Sequence, residues 1–393
     1  MAGLVIRPRS RVFHGHDWVY SSEVLKAFGK PEDGEIVSLK DGKDRFLGSA
    51  IYNSRSQIIA RRFSRQRQEL DADFFRRRIA QAAEYRERRG VSPRLCRLVW
   101  SESDGLPGVV IDRYGETLVL QTLTLAMDRR KPLIVEALAS LFSPRAILER
   151  NDAPIRRAEG LEPQNGLLLG EAPGPVEIEA AGLRFAVDLM AGQKTGFYLD
   201  QVANYEAVAR WAGGKRVLDC FSNQGAFALA CARAGAASVH AVEVSAECVR
   251  QIGANAALNA LEVTASEANV FDFLKKEETE CAASGPRYDL IILDPPSFTR
   301  NREKLRDALR GYKEIHLRAL KLLAPGGLLA TFSCSHHISD ELFSGIIAEA
   351  AVDAKRTLRL LERFGQGPDH PVLLNLPETE YLRGFLFELA PGR

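Results

Sequence analysis

The spacing of apolar residues changes character along the chain. Up to about residue 68 the apolar stretches are short and broken by turns. EIVSLKDGKDRFLGSAIYN carries Asp41-Gly42, a hairpin-turn pair, between two β-prone runs, and SQIIARRFS reads as another strand. A small barrel-like β domain is expected. Over 71–90, Phe74, Phe75, Ile79, Ala82, Ala83 and Tyr85 recur at helical spacing with arginines between them, which predicts an amphipathic helix. Strands return from 97 to about 180: RLVWSESDGLPGVVIDRYGETLVLQTLT reads as three strands and two turns, MDRRKPLIVEALASLF as a helix, PRAILERND as a strand. These predict a small α+β middle domain.

From about 183 the runs lengthen. RVLDCF, SVHAVEVS, VTASEANVF, YDLIILDPP and GLLATFSC are strand candidates, followed by strands near 356–364 and at 381–389. Helical patterns fall at 225–234, 245–259, about 302–323 and near 339–353. Buried strands alternating with helices predict an α/β fold with a doubly wound, mainly parallel sheet. Such sheets bind ligands at the carboxyl ends of their strands. The expected division is 1–70, 71–182 and 183–393.

Of the 393 residues, 46% are hydrophobic and 26% charged, ordinary for a chain that buries a sizeable core. No apolar run approaches the roughly 20 residues of a membrane helix. MAGLVIRPRSRVF has arginines where a signal peptide has its apolar core, so a cytoplasmic protein is expected. The net charge of +2 hides an asymmetry: residues 1–98 hold 21 Lys+Arg against 12 Asp+Glu, the remainder 32 against 39. A basic front suggests a polyanion partner; the plain alternative is a solvated Arg-rich helix at 74–89. The six cysteines form no CxxC pair and suggest neither a zinc site nor a disulfide framework, so most are expected to be buried thiols.

The chemistry gathers at strand ends. The first strand of the C-terminal sheet runs into DCFSNQGAF, where Gly225 would open a helix after a turn of Ser222, Asn223 and Gln224. Small and polar turn residues let a ligand approach the backbone, but the glycine spacing for a pyrophosphate is lacking. The second strand ends in Glu243, 24 residues after Asp219, where an acid commonly takes ribose hydroxyls. These features suit a nucleoside without phosphates. S-adenosylmethionine fits, with Asp219 near its cationic amino-acid end; the alternative is a plain turn capped by Ser222. Asn269, expected near the third strand's end, has an amide suited to the adenine edge. The fourth strand ends in LDPPSF, which puts Asp294 at its exit on a loop stiffened by two prolines.

The fifth strand, GLLATFSC, brings Cys334 to the same edge. A thiolate adding to C6 of a cytosine would make C5 nucleophilic toward a methyl sulfonium, and Asp294 would support the charge developing at N3. A buried structural thiol is the plain reading of Cys334 alone. A metal reading with His336 and His337 lacks a fourth ligand, and adjacent histidines rarely face one ion. The two histidines would otherwise lower the thiol's pKa or contact RNA phosphate.

At this point the chain resembles bacterial 23S rRNA 5-methylcytosine methyltransferases of the RlmI type over essentially its whole length. The resemblance rests on SESDGLPGVVIDRYG, GQKTGFYLDQ, VLDCFSNQGAFAL, LDPPSF, FSCSHHIS and DHPVLLNLPETEYLRGF. It implies an N-terminal PUA domain that binds RNA, an α+β linking domain and a Rossmann-like class I methyltransferase domain using S-adenosylmethionine. It implies that Lys194, Thr195, Tyr198 and Asp200 border the cofactor, and that Cys334 is the nucleophile. The chain departs from the family's usual pattern at Asn269, where an Asp is common, and at Val202 and Tyr205, where arginines are common. Many other RNA cytosine-C5 enzymes carry a cysteine in the fourth-strand loop for product release; here Ser297 stands in that loop. A related guanosine methyltransferase would need no nucleophilic thiol, and a non-catalytic RNA-binding assembly factor would not need the set Asp219, Glu243, Asp294 and Cys334. The oligomeric state, monomer or homodimer, is left open.

Overall fold

The computed structural model describes residues 2–190, 196–285, 287–298, 304–335 and 337–391. The chain divides into two compact units. One comprises residues 1–178, 187–199 and 368–379, the other 179–186, 200–367 and 380–393.

The first unit holds a six-stranded sheet and a five-stranded sheet. In the six-stranded sheet Gly3–Ile6 lies between Val24–Phe28, antiparallel, and Ile36–Lys40, parallel. The five-stranded sheet carries the helix Ala72–Arg88. Asp71 caps that helix by accepting from the Phe74 amide at 2.7 Å. Its apolar stripe, Phe74, Phe75, Ile79 and Ala82, is buried against Val109, Ile111, Leu118 and Leu120. The arginine-rich face is not all solvated. Arg86 is buried, paired with Asp104, and donates to the Arg97 and Asp369 carbonyls. The single helix expected over MDRRKPLIVEALASLF is two, Leu125–Arg129 and Lys131–Phe142. Pro132 has no amide hydrogen to continue the first helix and is tolerated at the start of the second. The strand Gln164–Gly170 was not legible in the sequence.

The second unit is a seven-stranded sheet. Its strands are β1 (Arg216–Cys220), β2 (Ser238–Glu243), β3 (Thr264–Glu267), β4 (Tyr288–Leu293), β5 (Leu323–Ser333), β6 (Leu358–Gly365) and β7 (Arg383–Leu389). Their order is β3-β2-β1-β4-β5-β7-β6, with neighbours parallel from β3 to β5 and antiparallel beyond. The helices are α1 (Val202–Ala209), α2 (Ala226–Arg233), α3 (Ala246–Leu258), α4 (Val270–Ser284), α5 (Leu305–Leu322) and α6 (Asp340–Asp353). The helix expected from about 302 is described from Leu305.

Sequence reading missed α1 and α4. VTASEANVF, expected as one strand, is strand only over Thr264–Glu267; Asn269 then accepts from the Phe271 amide at 2.9 Å and starts α4. On α5 the buried face repeats as Ala308, Tyr312, Ile315, Ala319 and Leu322. It packs with Leu218, Ile291 and Leu329 of the central strands and with Phe343 and Ile347 of α6.

Register explains one glycine. Gly384 on β7 pairs with Phe332 on one side and Phe364 on the other, whose rings stack at 5.5 Å. A Cβ at Gly384 would meet the Phe332 ring at 2.5 Å and Phe364 Cβ at 2.9 Å. Gly384→Ala is therefore expected to destabilise the protein by about 1–3 kcal/mol through overpacking, read as a lower urea midpoint at unchanged slope.

Candidate active site

β1 ends at Cys220, and the turn after it runs through left-handed backbone at Phe221, Asn223 and Gly225 (φ 64°, 49° and 83°). Glycine suits the last position, which is the N-cap of α2; a Cβ there would also press on Ile252 at 3.2 Å. The Ser222 cap of the plain-turn alternative is not made. The Ser222 hydroxyl instead donates to Asp219 Oδ2 at 2.5 Å, and the Ala228 amide donates to the same oxygen at 3.1 Å. Asp219 is 1% exposed and its Oδ1 has no hydrogen-bond partner. Burial pushes its carboxyl up to about 7, and the Glu243 charge adds to the rise against the Ser222 and Ala228 hydrogen bonds.

Glu243, at the end of β2, ties this turn down. Its Oε2 accepts from Asn223 N (2.9 Å), and its Oε1 from Val244 N and Ser245 N (2.8 and 3.1 Å). A carboxylate has about four acceptor sites, and three backbone donors occupy most of them here. The Gln224 carbonyl is held by Asn255 Nδ2 at 3.1 Å, from a side chain wholly buried in α3. Asn269 lies two residues beyond β3. Its oxygen, suited to an adenine amino group, accepts from the Phe271 amide. Asp200 is buried, its Oδ2 accepting from the Tyr381 hydroxyl at 2.6 Å. Tyr198 is half-buried and belongs to the first unit. Lys194, Thr195 and His336 lie outside the described residues. Tyr205, where the family commonly has arginine, is buried edge-on to Phe227 at 4.7 Å.

The second half of the site follows from strand pairing. Leu293 on β4 sits opposite Cys220 of β1 on one side and Thr331 of β5 on the other. Asp294 and Cys334 thus leave adjacent parallel strands at the same edge, as the sequence predicts. Asp294 Oδ2 accepts from Gln201 Nε2 at 3.0 Å. Cys334 follows the last residue of β5 and is half-buried, as is Cys248, whereas Cys96, Cys220, Cys231 and Cys281 are buried. Burial holds the Cys220 thiol well above its ordinary range and pushes Cys96 up to about 12.

Beneath Cys334 lies a hydroxyl cluster that sequence reading missed. The buried Tyr312 hydroxyl is 3.1 Å from Ser333 Oγ and 3.5 Å from Ser335 Oγ; Ser335 Oγ is 2.8 Å from Ser297 Oγ. This joins the cysteine turn to the DPPSF loop. Burial raises Tyr312 to about 12, and the Cys334 and Asp294 charges add to the rise, so both groups lie within electrostatic reach of that hydroxyl. His316, one turn along α5, bonds the Tyr312 carbonyl and Thr331 Oγ1. Carbonyl oxygen only accepts, so Nδ1 carries the proton and Nε2 accepts from the threonine. A faint signal was present: Tyr312 and His316 are polar residues on the buried stripe of a strongly amphipathic helix. Among the described residues no three His, Cys, Asp or Glu gather as a metal site, and no helix is long and apolar enough to cross a membrane.

Residues 162–387 match the family model described as S-adenosylmethionine-dependent methyltransferase, and residues 8–65 match a PUA-like domain. Fold and site thus define an S-adenosylmethionine-dependent methyltransferase with a PUA-like segment near its N-terminus. The chain belongs to the ribosomal RNA large subunit methyltransferase I family. It is 43% identical to the protein of that name from Shewanella denitrificans, covering 94% of each chain, and 44% identical to that of Shewanella amazonensis at the same coverage. The Klebsiella pneumoniae relative is 40% identical over 94% of this chain and 93% of its own. In fold it is similar to a solved structure described as a candidate SAM-dependent methyltransferase from Streptococcus mutans (TM-score 0.83, 22% identity, 99% of this chain and 100% of that one). A solved structure described as a candidate methyltransferase complexed with SAH aligns equally well (TM-score 0.84, 23% identity, the same coverage).

The residues present fit this cofactor: an acid with one unpartnered buried oxygen lies beside a partly buried turn of left-handed backbone. We infer that Asp219 is the counter-charge to the cofactor's cationic end. Cation binding favours the ionised carboxylate, which predominates only above about pH 7. S-adenosylmethionine should therefore bind about fivefold more weakly at pH 6 than at pH 7 by calorimetry. Asp219→Asn should remove that dependence, and a flat wild-type profile would contradict the assignment.

Proposed function

We propose that the protein methylates C5 of a cytidine in large-subunit ribosomal RNA through a covalent bond between Cys334 and C6. The observation that carries this reading is the half-buried Cys334 at the β5 exit, alongside Asp294 at the β4 exit. Methylation of a ring nitrogen or exocyclic amine would have no use for a thiol there. The relatives' names supply the RNA, and the basic N-terminal third with its PUA-like segment suits phosphate contact in the cytoplasm.

Bound S-adenosylmethionine supplies an electrophilic methyl group. The chain's own residues activate the base. The Cys334 thiolate forms a bond to C6, and the C5–C6 double-bond electrons move into the ring, making C5 nucleophilic. Asp294 gives a proton or a hydrogen bond to N3, where charge develops. C5 takes the methyl group as the methyl's bond to sulfur breaks; the C5 proton then goes to a base, and N3 returns its proton to Asp294. The C6–S bond then breaks, the thiolate leaves with its electron pair, and the double bond returns. Ser297, with no thiol in that loop, separates this route from enzymes that release product with a second cysteine. The base must be unstacked into the site, because C6 is out of reach inside a helix.

Cys334→Ala should leave S-adenosylmethionine affinity within about twofold of wild type by calorimetry and abolish 5-methylcytidine in ribosomal RNA, read by bisulfite mapping and nucleoside mass spectrometry. Retained methylation in that variant would defeat the covalent route.

A further inference from the structure

Asp294 is held by a chain of side-chain amides whose direction is set by the backbone. Gln201 and Asn204 are 2% and 5% exposed, at the start of α1. Asn204 Nδ2 donates to the Gly365 carbonyl at 2.9 Å. A backbone carbonyl can only accept, so the Asn204 amide cannot turn over without losing this bond. The same nitrogen donates to Gln201 Oε1 at 2.6 Å. With its oxygen so engaged, Gln201 must present Nε2–H to Asp294 Oδ2, at 3.0 Å. The polarity runs one way, from Asn204 through Gln201 to the carboxyl group.

A carboxylic acid's hydroxyl oxygen is a poorer acceptor than its carbonyl oxygen. An N–H donor fixed on Oδ2 therefore disfavours a proton there, and a proton on Asp294 belongs on Oδ1. Cytosine presents an acceptor, N3, next to a donor, its exocyclic amine. Uracil presents the reverse order. A carboxyl group with its proton on Oδ1 and an acceptor at Oδ2 matches the first edge. To match the second, the proton would have to move to Oδ2, against Gln201.

We propose that Gln201 and Asn204 are positioning residues that fix which oxygen of Asp294 carries the proton, so that the site takes cytosine and rejects uracil. The proposal rests on the C5-cytidine reading and extends it to residues that act through Asp294. Asp294 shares its surroundings with Tyr312 of α5 and Cys334 of the β5 exit, and both stay in place in the variants below.

The test uses the full-length protein and two ribosomal RNA transcripts that differ only by cytidine or uridine at the modified position. The variants are Gln201→Glu, which keeps the shape, Gln201→Leu, and Asn204→Leu, which frees Gln201 to turn over. S-adenosylmethionine binding by calorimetry identifies the folded variants. Gln201→Leu should lower kcat on the cytidine transcript about tenfold with little change in KM, the scale of one hydrogen bond to a charged group. Gln201→Glu sets two carboxyl groups side by side and should move the acidic inflection of the pH–rate profile upward by about one unit. Both Gln201 variants should form 5-methyluridine on the uridine transcript where wild type forms none, and Asn204→Leu should fall between them and wild type. An unmoved inflection together with an unmoved preference for cytidine, in variants that bind the cofactor normally, would overturn the proposal while leaving the parent reading intact. A wild-type enzyme that makes no 5-methylcytidine would overturn both.

Discussion

The parallel pairing of β1, β4 and β5 is the constraint on which the rest of the site depends. Leu293 lies opposite both Cys220 and Thr331, so the exits of three strands fall along one edge of the sheet. Neighbouring strands are about 5 Å apart, so groups leaving adjacent exits share the space of one small ring. Asp219, Asp294 and Cys334 come from 116 residues of sequence, yet register alone brings their strand ends together. A slip of one residue in any pairing would turn every side chain of that strand to the other face. The apolar contacts under the sheet, from Leu218, Ile291 and Leu329 to α5 and α6, make such a slip costly.

Strand pairing delivers the loops, and buried polar groups then fix them. The turn after β1 is held by Glu243 from β2 and Asn255 from α3. The DPPSF loop is held to the cysteine turn by Ser297 and Ser335, and Asp294 is steered by Gln201. Each such bond contributes only about 1 kcal/mol net, but leaving one of these buried groups unpaired costs more. The site therefore has few alternative arrangements. Asp219 is an exception among the described residues, with a buried Oδ1 that has no hydrogen-bond partner. That exception falls where a cationic ligand would remove the deficit.

Much of the arrangement was legible because the relevant signals are local or periodic. Apolar runs located the strands, and strand ends located Asp219, Asp294 and Cys334. What was not legible was pairing across the chain. Nothing near Gln201 announces that its partner is Asp294, and nothing near Asn255 announces that it supports a turn some 30 residues earlier. Asn269 shows the converse. Its position near a strand end was read correctly, but the helix it caps was missed, because a short polar strand and a helix start look alike without the capping bond. The helix break before Pro132 was present in the sequence and overridden by the apolar pattern around it. Glu243 was placed correctly, while the backbone donors that fill most of its acceptor sites were invisible.

The proposed chemistry requires that Cys334 bond to the base. Ribosomal RNA transcribed with 5-fluorocytidine, whose C5 substituent cannot leave as a proton, tests it directly in the presence of S-adenosylmethionine. A covalent protein–RNA complex that survives denaturation is expected, with the modified peptide mapping to Cys334. No complex, or an adduct at any other cysteine, would contradict it.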